Sequence, residues 1–208
     1  MPKVDWSSVG SDKKSGNGES SFLRLKEGKY RIRLLGNPHQ FFQHFDPAAV
    51  ICEGSPDKCP ICKSGNSPKM RYATNVIDRA DQKIKILTGG PQIFEVFKEY
   101  AVEVGDPGKK DGPDFSIKVE VPGGNKLATK YKTSTLDKKP LTQEEIAMIN
   151  KDGEKGAGLH NLDEILKAKT GSEISEILQK DGNGGGEPDV DLDSAAADDS
   201  SDDDDFDF

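Results

Sequence analysis

The sequence predicts a mainly-β fold with a few short helices and disordered ends. Three observations predict it. Several stretches alternate apolar and polar residues with the two-residue period of a strand, and clusters of Gly, Pro and Asn separate them. The three cysteines, Cys52, Cys59 and Cys62, fall within eleven positions, which marks an inserted loop. Only 33% of the 208 residues are hydrophobic and 32% are charged, so the core is small for the length and part of the chain stays unfolded.

Residues 1–20 are rich in Ser, Gly and Lys and read as a flexible arm; Trp6 within it is the single tryptophan. From Phe22 to Leu35, Tyr30, Ile32 and Leu34 face one way while Lys29, Arg31 and Arg33 face the other. His39 to Phe45 is a second, aromatic strand leading into the cysteine loop. Met70 to Arg79 and Lys83 to Leu87 form a hairpin, with Asp78 and Asp81 serving its turn. Gly89-Gly90-Pro91 breaks the sheet, and Ile93, Phe94, Phe97, Tyr100 and Val104 follow at helical spacing.

A second hairpin runs from Phe115 to Val121 and from Leu127 to Thr133, across Pro122-Gly123-Gly124-Asn125. Thr142 with Glu145, and Asn161 with Glu164, are capping signatures; Ser172 opens a last helix carrying Ile174, Ile177 and Leu178. About six strands with one inserted helix suit a five-stranded barrel of OB type with the cysteine loop on its rim. The organisation expected is an arm over 1–20, a core over 21–140 with the loop at 44–62, a short helical part over 141–180 and an acidic tail over 181–208.

Cys59-Pro60-Ile61-Cys62 is a tight knuckle that aims two thiolates at one cation, with Cys52 as a third. His44 is the best-placed fourth ligand and His39 the reserve. An odd cysteine count without a secretory leader argues against disulfides. Four protein ligands leave no open position, so the expected ion is a structural Zn²⁺ whose binding adds to folding free energy.

The net charge of −8 hides a split. Residues 181–208 hold twelve of the 37 acids and neither Lys nor Arg, which leaves 25 acids against 29 bases in the rest. A basic body with cationic strand faces suggests a groove for unpaired nucleic acid, where cations follow phosphates and aromatic rings stack on bases. The candidates are Arg31, Arg33, Lys69, Arg71, Tyr72, Arg79, Lys83, Lys85, Lys130, Tyr131 and Lys132; Tyr72 and Tyr131 share strand faces with apolar residues and suit the core as well. The tail ends in Asp202, Asp203, Asp204, Asp205, Phe206, Asp207 and Phe208, acids with aromatic anchors that suit a docking peptide. It also suits a competitor for the groove that DNA displaces.

The order His44, Cys52, then a Cys-Pro-x-Cys knuckle, the strand Arg71-Tyr72-Ala73-Thr74-Asn75-Val76-Ile77-Asp78-Arg79 and the acidic Phe-ended tail together resemble the single-stranded-DNA-binding proteins of tailed phages. The likeness covers about residues 22–135. It implies sequence-nonspecific binding in phage replication, recombination and repair, in the cytoplasm of the infected bacterial host. It also implies that the tail recruits polymerase, helicase or primase. The basic arm of that family is echoed only by Lys13 and Lys14. A zinc-ribbon transcription accessory protein is the alternative. No catalytic role is expected, since no acid–base pair or open metal site can be named. No membrane association is expected either, because no apolar run approaches the ~20 residues of a spanning helix.

Overall fold

The computed structural model describes residues 21–125, 128–151 and 158–181. One antiparallel sheet organises them. It comprises β1 (Gly28–His44), β2 (Val50–Cys52), β3 (Lys69–Asp78), β4 (Lys83–Gly89), β5 (Pro113–Glu120) and β6 (Lys130–Lys138), in the order β4-β3-β1-β5-β6 with β2 on the far end of β1. The helices are α1 (Pro60–Lys63), α2 (Pro91–Glu103), α3 (Gln143–Ile149), α4 (Leu162–Ile165) and α5 (Gly171–Asp181). Among the described residues no helix is long and apolar enough to cross a membrane.

The mainly-β expectation holds, but the sheet is open: β4 and β6 are its two edges, and the closed barrel is not formed. The two expected strands before the cysteine loop are one. β1 continues through an irregularity between Leu35 and His39, where the register against β3 shifts. Gly36 turns there with φ 76°, and Gly108 lies so close to its backbone that a side chain could not fit. The β3–β4 turn uses its acids as expected: Asp78 accepts from the Ala80 N–H and Asp81 from the Lys83 N–H. β6 starts later than expected, and Leu127 lies outside the described residues.

Strand alternation builds two different faces. On one, Ile32, Leu34, Val76, Leu87, Phe115, Ile117 and Val119 form the main core with Ile93, Phe94 and Phe97 of α2. A ladder of aromatic rings runs through it from Tyr72 to Phe94 (5.4 Å), Phe97 (5.4 Å) and Phe115 (4.7 Å). Such tilted and edge contacts add about 0.5–1.5 kcal/mol per pair beyond area burial. α2 packs against β3, β4 and β6, spanning the gap between the sheet's open edges.

Residues 141–180 cover half of the other face. Leu141, Met148 and Ile149 pack on Leu35, Ile77 and Ile84, and Leu166 packs on Phe41, Ala73 and Ile86. Asn75 binds the His160 backbone reciprocally, donating to its carbonyl and accepting its N–H at 3.0 Å each. The predicted capping box at Thr142 and Glu145 is present.

Glu145 does more than cap. Its carboxylate also takes Arg79, which in turn binds Asp114 at 2.8 Å. Burial alone raises the Glu145 pKa; the Thr142 N–H and the Arg79 guanidinium outweigh it and hold the carboxyl below its ordinary value. A depressed carboxyl contributes stability that is present above the unfolded pKa of about 4.3 and fades as pH falls through the folded value. Glu145→Ala should therefore destabilise the fold by about 3 kcal/mol, because it leaves Arg79 partly unpaired in the interior. Urea unfolding at neutral pH checks this, and the difference from wild type should shrink below about pH 4.

Candidate metal centre and candidate nucleic-acid interface

The β1–β2 hairpin places two metal-ligand types side by side. Phe42 pairs with Cys52 and His44 with Val50, so His44 and Cys52 share a face. Cys59 is the N-cap of α1 and Cys62 lies within it, so the short helix that Pro60 starts swings both thiols inward. The Gly54 N–H donates to Cys52 Sγ at 3.3 Å, which favours thiolate character there.

The four ligand atoms lie within 4.8 Å of one another. His44 Nε2 is 3.3 Å from Cys62 Sγ and 3.6 Å from Cys59 Sγ, and Cys52 Sγ is 3.9 Å from Cys62 Sγ. A tetrahedral ion with metal–sulfur bonds of about 2.3 Å sets N···S near about 3.5 Å and S···S near about 3.8 Å. The cluster fits those edges and is too open for a disulfide; all three cysteines are free. Burial lowers the His44 pKa and keeps the imidazole neutral, as a ligand must be. Burial also raises the Cys52 thiol and pushes the Cys62 thiol up to about 12, with the neighbouring sulfurs adding. Three crowded thiols resist ionisation until a cation offsets their charge, so the cluster could hold a metal ion.

His44 is the fourth member and His39 is not. The His39 imidazole is part-exposed and meets Asp163 at 3.1 Å.

The cluster carries a second structural task. Ile174 of α5, with no exposed surface, packs among Val50, Cys52, Cys59 and Ile61, and Ile177 and Leu178 flank it. The Lys169 N–H donates to the Ile51 carbonyl at 3.0 Å. For a cluster that holds a metal ion, removing it with a chelator should release α5. Hydrogen exchange over residues 172–180 should rise at least about tenfold while β1, β3 and β5 stay protected. Equal protection with and without chelator would separate the helix from the cluster.

The expected nucleic-acid residues divide sharply. Arg33 is fully buried, and its guanidinium donates to the carbonyls of Gly112, Lys109 and Lys139, so it is withdrawn from the surface set. Burial lowers its pKa, with Asp114 opposing. Arg79 is corrected likewise, its side chain being enclosed between Asp114 and Glu145. Arg71 is buried with its guanidinium 5.3 Å from the Phe45 ring centre. Lys85 is held by Asp78 at 2.8 Å and Asp81 at 2.5 Å. Lys83 and Lys85 also lie on the α2 face of the sheet, opposite the other strand cations. Tyr72 and Tyr131 pack against the main core. Lys69, Lys130 and Lys132 are exposed, and Arg31 is half-exposed with its Nε on Asp114 at 2.9 Å. The tail residues Asp202 to Phe208 lie outside the described residues.

What the sequence did not join is a row across three strands. Lys29 of β1 stands opposite Lys118 of β5, which stands opposite Lys132 of β6. Neighbouring strands are about 4.8 Å apart, so three ammonium groups share one exposed line. The next positions along are Arg31, Ser116 and Ser134, and Lys130 flanks the row opposite Glu120. Glu120 binds Lys118 at 2.5 Å, and its carboxyl is held below its ordinary value by Lys118 first, then by Lys130 and Lys132. Two carboxylates, Glu120 on Lys118 and the buried Asp114 on Arg31, stand against five cations, so the strip stays positive.

Comparison with known protein families, curated proteins and solved structures finds no match to this chain.

Proposed function

We propose that the protein binds single-stranded DNA without sequence preference, with Zn²⁺ as the structural ion of the Cys₃His cluster. The observation that carries this is the exposed cationic strip of Lys29, Lys118 and Lys132, flanked by Arg31 and Lys130. Like charges directly opposite each other destabilise a sheet. A phosphate backbone laid along the row relieves that repulsion and releases counterions. The strip is only three strands wide and ends at the edge strand β6.

The strand order and the helix between β4 and β5 suit an OB barrel left open at one seam. Zinc fits the cluster because closed three-thiolate, one-imidazole sets are its usual structural ligands. The acidic residues 181–208 follow directly on α5 and compete with DNA for the strip; displaced, they recruit replication and recombination proteins. A place in phage DNA metabolism rests on the resemblance of the cysteine loop and tail.

Anisotropy titrations of labelled oligo-dT test this. Binding should weaken steeply with salt, and Lys29→Ala/Lys118→Ala/Lys132→Ala should lower affinity at least about tenfold and flatten the salt slope by about 2. A chain ending at Lys180 should bind several-fold tighter at low salt. Preference for duplex DNA, or wild-type affinity in the triple variant, would falsify the proposal.

A further inference from the structure

The face opposite the cationic strip carries a cavity of about 530 Å³ between α2, the bend of β1 and the start of β3. Its walls are Leu34, Pro38, Tyr72, Phe94, Phe97 and Pro107. Leu34, Phe94 and Phe97 belong to the main core, so the cavity is an opening into the apolar layer itself. Its size and lining are those of a site for one flat, apolar group. Its rim carries Glu95 and Asp106 against Lys98. That sign disfavours a nucleotide, and it disfavours the aspartate-rich end of this chain.

We infer that the cavity is the seat of the indole of Trp6, from the same chain. Trp6 is the one tryptophan and the only aromatic residue within residues 1–20. Its nearest charged neighbours, Lys3 and Asp5, cancel, so the rim does not repel it.

Reach favours docking within one chain. The described chain starts beside β4, where the Ser21 carbonyl accepts the Ile86 N–H at 2.7 Å. From Ile86, β4 leads within five residues to Pro91 on the cavity wall, a span of about 17 Å. The 15 bonds from Trp6 to Ser21 cross a Gly- and Ser-rich segment, whose root-mean-square span is about 21 Å. A tether matched to its span gives an effective concentration near the millimolar range, so even a weak intrinsic affinity fills the site. Thr74 and Asp106 line the cavity and bring acceptor oxygens for the indole N–H.

The single tryptophan is its own probe. In the full-length protein, emission excited selectively at the indole should be blue-shifted and quenched by acrylamide about threefold less than free N-acetyltryptophanamide, independent of protein concentration. Ala101, exposed on α2 and lining the cavity, allows a plug. Ala101→Phe should return Trp6 to free-indole quenching while melting temperature and metal content hold. Trp6→Ala should shift the methyl resonances of Leu34 and Ala101 through loss of the ring current. Free-indole quenching in the wild type overturns the inference. So does protection that survives the plug or disappears on dilution, the latter pointing to a second copy. Unmoved methyl resonances in Trp6→Ala overturn it as well.

Discussion

Asp114 has no exposed surface, yet it receives both Arg31 and Arg79. A buried carboxylate is tolerable only when paired and hydrogen-bonded, so it dictates where those two arginines sit. Arg79 carries the charge onward to Glu145 and thereby fixes α3 on the sheet. Arg33, next to Asp114 in the β1–β5 register, ties the 109–112 loop to the exit of β6 through carbonyls. One negative charge on β5 thus decides which cations are internal struts and which remain at the surface.

That single group also explains where the sequence misled. The alternation in β1 correctly placed Arg31 and Arg33 on one face, but not how far along the strand solvent reaches. Burial of that face depends on residues 141–180, more than a hundred positions away in sequence. The cysteine set was legible because all its spacings are local and the ion's geometry limits the ligand types. The Thr142–Glu145 box and the Pro91 helix start were legible for the same reason. The lysine row was not, since it needs the pairing of β1 with β5, a register that no local pattern specifies. Nor was β2, three buried residues too short for any periodicity.

The molecule divides its two sheet faces by chemistry. The α2 face is apolar except for the Lys83, Lys85 and Asp78 group near the β3–β4 turn, and it ends in an aromatic-walled opening. The other face is half covered by the C-terminal segment and half bare. The bare half coincides with the lysine row, because the covering helices pack over β1, β3 and β4 and leave Lys118 and Glu120 of β5, and Lys130 and Lys132 of β6, exposed. Net charge gives no hint of this, since the acids concentrated in residues 181–208 reverse its sign.

The metal cluster and the strip occupy opposite ends of β1, at His44 and Lys29. A strand of 17 residues spans roughly 55 Å when extended. Direct electrostatic communication over that distance is screened, because the Debye length at physiological salt is about 8 Å. An ion held in the cluster could therefore act on the strip only mechanically, and α5 is the element that packs on the cluster. It does so by Ile174 and leads straight into the acidic residues.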